Sequence, residues 1–214
     1  MSVRRLIVGI TGASGAIYGV RLLELLRDLD IETHLVMSKS AEITLGLETD
    51  RKVADVKALA DVCYPVGDIA AAISSGSFKT SGMVIAPCSV RSLAEIATGV
   101  TSTLLTRAAD VILKERRRLV LMVRETPFHT GHLRNMLQLS EMGAVIAPPV
   151  PAFYALPQSL EEAVDHSLGR VLDLLDIETG VMRRWGEEPN DGSPPVRAVR
   201  TVGAVRAVSP PKRR

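Results

Sequence analysis

The sequence is poor in aromatic residues, poor in cysteine and almost balanced in charge. Only 3% of its 214 residues are aromatic, and its two cysteines are Cys63 and Cys88. Two cysteines so far apart give neither a disulfide framework nor the paired spacing of a zinc site, so we expect no metal. The formal net charge of +2 gives no reason to expect a nucleic-acid-binding surface.

Long apolar runs are also missing. No run reaches the roughly 18 residues that a membrane span needs. The stretch Leu6–Ile10 is too short to be the core of a signal peptide, so we expect a cytoplasmic protein without a membrane anchor. The 46% of hydrophobic and 23% of charged residues are ordinary for a globular protein, and the length suits one α/β domain.

What the sequence does contain is an alternation of short apolar runs with helical stretches. The runs lack polar alternation, which is typical of strands covered on both faces. The predicted strands are Leu6–Ile10, Thr33–Met37, Asp61–Val66, Met83–Ala86, Leu119–Val123 and Ala144–Ala147. The predicted helices are Ile17–Leu29, Ala41–Leu47, one from Leu93, Leu104–Lys114, Leu133–Met142 and one that a capping box, Ser159 to Glu162, opens. This pattern predicts an α/β fold with a Rossmann-like, three-layer parallel sheet in a single domain.

The end of the sequence has a different composition. Residues 187–214 are rich in Pro, Val, Arg and Ser without periodicity and close on Pro-Pro-Lys-Arg-Arg. We therefore expect one folded domain over residues 1–186, followed by a disordered tail.

Ligands of open α/β sheets bind where the strands end, so the loops after the predicted strands are the candidate sites. The first is Gly12-Ala13-Ser14-Gly15, which permits a tight turn and leaves the amides of the next helix free for an anion. The hydroxyls of Thr11 and Ser14 are further candidate donors. A plain glycine-rich turn is the alternative, because the spacing is not the G-x-G-x-x-G fingerprint of dinucleotide enzymes.

Two more loops carry hydroxyls. Ser38-Lys39-Ser40 follows the second strand, where dinucleotide enzymes usually have an acidic residue, and it suits a phosphate better than a ribose diol. Ser89 and Ser92 frame the start of a later helix, as an anion cradle or as simple N-caps. Cys88 beside them is expected in the core rather than as a nucleophile.

The last two loops add charge and an aromatic ring. Arg124 offers a fork for phosphate and Glu125 a carboxylate for proton transfer, with an ion pair between them as the alternative. Tyr154 follows a proline-rich loop and is either a ligand contact or a packed surface aromatic. Several such loops at one sheet edge indicate a ligand with more than one phosphate-like group, or two ligands.

In this order, the motifs resemble those of the UbiX-type flavin prenyltransferases, over about residues 3–186. The matching segments are Gly12-Ala13-Ser14-Gly15-Ala16, Ser38-Lys39, Pro87-Cys88-Ser89, Arg107-Ala108-Ala109-Asp110 through Lys114-Glu115-Arg116-Arg117, Arg124-Glu125-Thr126-Pro127 and Pro151-Ala152-Phe153-Tyr154. The resemblance implies a flavoprotein that joins a dimethylallyl group from dimethylallyl phosphate to N5 and C6 of reduced FMN without a metal. It also implies that a UbiD-type decarboxylase, as in ubiquinone synthesis, uses the product, and that the protein is a dodecamer with active sites shared between subunits.

The resemblance further implies a role for each matching position. The residues implied to bind FMN are Gly12, Ala13, Ser14, Ser38, Ser89, Val90, Arg91, Ser92 and Arg124. Those implied to hold the dimethylallyl phosphate are Tyr154, Arg170 and Lys114, and the ring of Trp185 is a candidate to shelter a cation. The implied catalytic residues are Ser14, Glu48, Lys114 and Glu125.

The sequence leaves three other functions open. A cysteine-decarboxylase-type flavoprotein of the same fold normally has an asparagine that the loop Pro149–Tyr154 lacks. A short-chain reductase needs a Tyr-x-x-x-Lys pair, and no tyrosine here has that lysine. A non-catalytic flavin carrier is the third, although it would have no need for a second phosphate pocket.

Overall fold

The core of the protein is a parallel sheet. The structure, a computed structural model, describes residues 4–182, so Trp185 and the expected tail at 187–214 lie outside the described residues. The strands are β1 (Arg4–Ile10), β2 (Ile31–Met37), β3 (Val62–Tyr64), β4 (Gly82–Cys88), β5 (Arg118–Val123) and β6 (Val145–Ile146). They form one six-stranded sheet in the order β3-β2-β1-β4-β5-β6, and every neighbouring pair is parallel.

Helices cover both faces of this sheet. They are α1 (Ala16–Arg27), α2 (Lys39–Glu48), α3 (Val53–Lys57), α4 (Val90–Ala97), α5 (Leu104–Lys114), α6 (Thr130–Glu141) and α7 (Leu160–Asp173). One apolar cluster joins α1, α2, α3 and α7 to the sheet, and a second joins α4, α5 and α6 to its other face. The expected three-layer Rossmann-like architecture is therefore confirmed.

The largest differences from the predicted bounds lie at two helix starts. The helix α4 begins at Val90 and not at Leu93, because the Ser89 side chain caps it by accepting the Ser92 N–H. Likewise α6 begins at Thr130 rather than Leu133, because the His129 ring accepts the Gly131 N–H. The short helix α3 was not predicted, since a helix of so few residues shows no apolar periodicity.

The expected capping box of α7 is shifted by one residue. The Ser159 side chain accepts the Glu162 N–H at 3.1 Å, as predicted. The Glu162 carboxylate, however, accepts the N–H of Gln158 at 2.7 Å rather than that of Ser159. Both bonds satisfy amides at the entry to the helix, so the helix start is still fixed by this pair.

The order of the strands reverses between β1 and β4. These two strands pair directly, with Leu6 opposite Gly82 and Gly9 opposite Ile85. Chain connections leave in opposite directions on the two sides of this pair, so a crevice opens beyond the carboxyl ends of β1 and β4. In folds of this kind that crevice is where ligands bind.

The helix α1 lies against this crevice at very close range. A Cβ atom added to Gly19 would lie 2.5 Å from the Ala86 carbonyl oxygen and 2.6 Å from the Ile10 Cδ1. Only a residue without a side chain lets α1 approach the ends of β1 and β4 so closely. The position of α1 over the crevice therefore depends on Gly19.

We expect the change Gly19→Ala to lower the free energy of unfolding by roughly 1–3 kcal/mol or more, since backbone must move to make room. Gly46→Ala is the matched control, because Gly46 is also helical but has nothing within 4 Å of an added Cβ. That control should be neutral or stabilising by about 0.5–1 kcal/mol. Urea unfolding of both variants measures the difference, and equal effects would contradict the close-approach account.

Candidate functional site

The two loops that leave the crevice are joined by one buried side chain, Thr11. Its hydroxyl donates to the Pro87 carbonyl oxygen at 2.7 Å and accepts the Ser89 N–H at 2.8 Å. The Thr11 N–H also donates to the same Pro87 oxygen, at 3.3 Å. We expected Thr11 to offer its hydroxyl to a ligand, and that expectation is wrong. The residue Thr11 is only 1% exposed, and its hydroxyl joins the loop after β4 to the loop after β1.

The loop after β2 joins the same place. The Ser38 N–H donates to the Ile10 carbonyl at 3.0 Å, and the Ser38 hydroxyl caps α2 by accepting the Ala41 N–H at 3.0 Å. A Cβ atom on Gly12 would lie 2.3 Å from the Ser40 Cβ, so the first loop must be glycine there. Three of the predicted loops are therefore in contact at one end of the sheet.

A carboxylate from α2 occupies the start of α1. The Glu48 Oε2 accepts the Gly15 N–H at 2.8 Å and the Ala16 N–H at 3.0 Å. Burial by itself raises the pKa of Glu48, but hydrogen bonds from Ser14, Ala16 and Gly15 and the charge of Arg124 outweigh it, so the pKa lies below its ordinary value. Two amides at the start of α1 that we expected to be free for an anion, those of Gly15 and Ala16, are therefore already bound by Glu48.

Arg124 and Glu125 stand at the end of β5, on the far side of the crevice. The Arg124 N–H donates to the Cys88 carbonyl at 3.0 Å, which ties β5 to β4 beyond the last strand pair. Within residues 4–182 its guanidinium makes no ion pair with Glu125, whose Oε1 accepts the Thr126 N–H at 3.1 Å instead. Arg124 acts on Glu48, whose pKa it lowers.

Tyr18 is a neighbour of Arg124 that the sequence did not identify. Burial raises the pKa of the Tyr18 phenol, and the positive charge of Arg124 offsets this only in part. Tyr18 lies on the first turn of α1, beside the loop that carries Ser14. The sequence feature that could have pointed to Tyr18 is its residue type, because this chain has few aromatic residues.

The start of α4 brings together the four residues from Ser89 to Ser92. Ser89 is the N-cap, and its hydroxyl also donates to the Ser92 hydroxyl at 3.2 Å. Arg91 is exposed and pairs with Glu95 at 3.0 Å. The capping interpretation of Ser89 is thus correct, while the amides of Val90 and Arg91, ahead of the capped Ser92 amide, point out of the helix. Burial raises the pKa of the Cys88 thiol to about 12, which agrees with a core residue and not a nucleophile.

Tyr154 and Arg170 line one cavity of about 190 Å³ at the carboxyl ends of β5 and β6. Its walls come from the end of β5, the proline loop and one face of α7. The other lining residues are Met122, Ala147, Pro148, Pro149, Val150, Ala152, His166, Ser167, Val171 and Leu174. The two residues implied to grip the donor phosphate are therefore close to each other in the fold, although their roles remain predictions.

An ion pair fixes α7, which carries Arg170, against α1. The Arg21 guanidinium makes two bonds to the Asp165 carboxylate, Nε to Oδ1 at 3.0 Å and Nη2 to Oδ2 at 2.7 Å. Arg21 also pairs with Glu24 at 2.7 Å, and Glu24 in turn pairs with Arg51. A two-bond arginine–carboxylate pair defines orientation as well as distance. The cavity wall is therefore held in a fixed position relative to the loop that carries Ser14.

Lys114 is the one described residue of the predicted site that the chain does not bring to this edge. It ends α5, just before β5 begins at Arg118, so it lies at the amino edge of the sheet. Its ammonium pairs with Glu115 and lies beside Gly76. Moreover α5 covers the sheet face opposite to α7. Within one chain, Lys114 therefore cannot reach the Tyr154–Arg170 cavity.

Neither a cluster of metal-ligating side chains nor a membrane-spanning helix occurs in residues 4–182. No three His, Cys, Asp or Glu side chains are grouped there so as to hold a metal ion. No helix in that range is long and apolar enough to cross a membrane.

The fold, the crevice between β1 and β4 and the hydroxyl-bearing loops around it define an α/β protein with a ligand site at the carboxyl ends of its strands. A family model described as Flavoprotein matches residues 1–186. Flavin prenyltransferase UbiX of Salmonella typhimurium is 64% identical over 175 residues, which cover 81% of this chain and 93% of that one. The chain belongs to the UbiX-type flavin prenyltransferase family.

Solved structures agree with this assignment. The crystal structure of AnUbiX (PadA1), in complex with FMN and dimethylallyl pyrophosphate, has a TM-score of 0.86 and 52% identity, covering 87% of this chain and 100% of that one. A dodecameric FMN-dependent Ubix-like decarboxylase of Escherichia coli O157:H7 has a TM-score of 0.84 and 52% identity, covering 86% of this chain and 100% of that one.

We expect Thr11→Val to lower the free energy of unfolding by about 1–3 kcal/mol, because the shape is kept while the Ser89 N–H loses its partner and the Pro87 carbonyl keeps only the backbone N–H of residue 11. The matched control is Thr98→Val, since the Thr98 hydroxyl is exposed and bonds only to its own helix, at the Ala94 and Glu95 carbonyls. Chemical denaturation compares the two. A loss no larger in Thr11→Val than in the control would show that Thr11 does not fasten the loops.

Proposed function

We propose that this protein prenylates FMN, by transferring the dimethylallyl group of dimethylallyl phosphate to N5 and C6 of the reduced flavin. The observation that carries the proposal is the cavity lined by Tyr154 and Arg170, next to the crevice loops but formed by other elements. A flavin carrier needs one binding site, whereas a transferase needs a second one for the donor.

The residues at the crevice suit FMN. Gly12 lets the first loop pack directly against Ser40, and the first turns of α2 and α4 direct amides toward the same edge. Because Glu48 already accepts the amides of α1, the phosphate of FMN is assigned to the Ser38 and Ser89 loops. Reduced FMN supplies the nitrogen and the carbon that accept the prenyl group.

Ser14, Glu48 and Arg124 form the polar side of this site. The hydrogen bonds that lower the pKa of Glu48 keep it ionised at neutral pH, so it accepts a hydrogen bond from the Ser14 hydroxyl and orients that oxygen's lone pairs. Arg124 supplies positive charge close to Glu48. Glu125 keeps one carboxylate oxygen free of the Thr126 amide, and we assign it the movement of a proton from the flavin edge.

The donor side consists of Tyr154 and Arg170. Departure of phosphate leaves negative charge on the leaving group, and the Arg170 guanidinium stabilises it. The Tyr154 phenol donates a hydrogen bond to phosphate, and its ring face shelters the positive allylic carbon. Trp185, outside the described residues, is proposed for the same sheltering role.

Lys114 enters the site from another copy of the chain. Its place at the amino edge of the sheet is incompatible with a role in its own chain's cavity, so an active site that uses Lys114 must lie between subunits. We propose a dodecamer, like that of the Escherichia coli relative. The cytoplasmic location and the transfer of the product to a UbiD-type decarboxylase also belong to this proposal.

The first experiment incubates the purified protein anaerobically with reduced FMN and dimethylallyl phosphate, with dimethylallyl diphosphate in a parallel reaction. Mass spectrometry should find a flavin heavier by one C5H8 unit. Variants Arg170→Gln and Tyr154→Phe should raise the KM for the donor about tenfold or more, because each variant loses one or more charge-assisted contacts with the phosphate. Absence of the heavier flavin with both donors would contradict the proposed function.

The second experiment tests whether Lys114 acts across a subunit boundary. Ser14→Ala and Lys114→Ala should each be inactive. When the two variants are co-expressed and mix in one oligomer, about a quarter of the sites should be active, because those sites take an intact Ser14 from one copy and an intact Lys114 from another. Lys52→Ala, at an exposed lysine outside the site, is the control and should be fully active. An inactive mixed oligomer would show that Lys114 and Ser14 do not act between subunits.

A further inference from the structure

His166 is a buried titratable residue of the donor cavity to which no role has been given above. It is 7% exposed and lies on α7, between Asp165, which pairs with Arg21, and Ser167. Its ring meets the ring of Tyr154 edge-on, with centroids 5.7 Å apart and planes at 84°. Both rings line the same cavity as Arg170.

Few polar side chains line the cavity around His166. The Ser167 hydroxyl donates to the Ala163 carbonyl within the helix at 2.8 Å. The titratable side chains on the cavity wall are Tyr154, His166 and Arg170, and the last two lie one helical turn apart, so they project from the same face of α7.

Among the described residues, the charged side chain that lines the cavity beside His166 is the cation Arg170. From its own helix Arg170 faces the cavity, paired at the rim with Asp173 at 3.0 Å, and from the turn after the proline loop Tyr154 faces it. On the α1 side, the Asp165 carboxylate is bound by both nitrogens of the Arg21 fork. The walls from β5 and the proline loop, Met122 and Ala147 to Val150, carry no charge. Within residues 4–182, no carboxylate lines the cavity itself.

We propose that His166 is a third binding residue for the phosphate group of the prenyl donor, and that its protonated form binds that phosphate more tightly. This proposal rests on the proposed function. A phosphate monoester carries about −1.5 to −2 charges near neutral pH, more than one arginine neutralises. A neutral imidazole offers one hydrogen bond, whereas an imidazolium adds a full positive charge in a partly enclosed space where electrostatic attraction is strong.

The test measures the Kd of dimethylallyl phosphate by calorimetry on the full-length protein from pH 6 to pH 8.5. The quantity compared is the ratio of Kd in His166→Gln to Kd in the unchanged protein, because the donor's own ionisation cancels in that ratio. We expect a ratio of about ten at pH 6 that falls severalfold by pH 8.5. A ratio that does not change with pH would overturn the proposal, since a merely structural role for His166 is independent of its charge.

Two further variants keep the test decisive. His166→Phe preserves an aromatic edge against Tyr154 but can neither ionise nor donate, so it should lose the same pH-dependent part of the affinity as His166→Gln. Arg134→Gln removes a positive charge from α6, on the opposite face of the sheet, and should leave the ratio at one. Normal binding by His166→Phe at pH 6 would likewise overturn the proposal.

The outcome for His166 is separate from the outcome for the proposed function. If the unchanged protein makes the heavier flavin but the ratio is flat, the enzyme is a prenyltransferase and His166 has no charge-dependent role. If no heavier flavin forms, the proposed function fails, and with it the assignment of His166 to a prenyl donor.

Discussion

The hydroxyl group of Thr11 holds together the part of the fold on which the rest of the site depends. It joins residues 76 positions apart in the sequence, by donating to Pro87 and accepting from Ser89. These hydrogen bonds lie where the strand order reverses, so the loops after β1 and β4 are joined to each other at the point where they leave the sheet. Gly12 and Gly19 then let α2 and α1 approach the same point. The polar groups of the crevice are thus presented by rigid backbone rather than by mobile side chains.

The cavity lined by Tyr154 and Arg170, proposed for the prenyl donor, has one wall from α7, which is held at both ends. Near its start, the Arg21–Asp165 pair fixes it to α1. Beyond its end, Arg4 and Arg118, at the first residues of β1 and β5, donate to backbone carbonyls of residues 174–176. A helix restrained in this way keeps His166 and Arg170 at a set distance from Ser14. That matters for a transferase, because the rate of bond formation depends strongly on how two bound reactants are placed.

Much of the fold could be predicted from the sequence, because apolar runs without polar alternation mark strands covered on both faces. The helix caps at Ser38 and Ser159 were predictable from local sequence, because a serine just before a helix commonly caps it. Long-range contacts were not. Nothing near Thr11 shows that its hydroxyl belongs to Pro87 and Ser89, and nothing near Glu48 shows that it caps α1, 33 residues away. The position of Lys114 away from the cavity of its own chain was predictable, since a helix that leads into β5 must end at the amino edge of a parallel sheet.

The central claim is that FMN lies across the carboxyl ends of β1 and β4 while the prenyl donor occupies the separate cavity beside α7. A crystal structure of the protein with FMN and inorganic phosphate tests it most directly. The account predicts flavin density in contact with the loops of Gly12, Ser38 and Ser89, and a phosphate within hydrogen-bonding distance of Tyr154 and Arg170. Flavin density inside the α7 cavity, or away from the β1–β4 crevice, would contradict it.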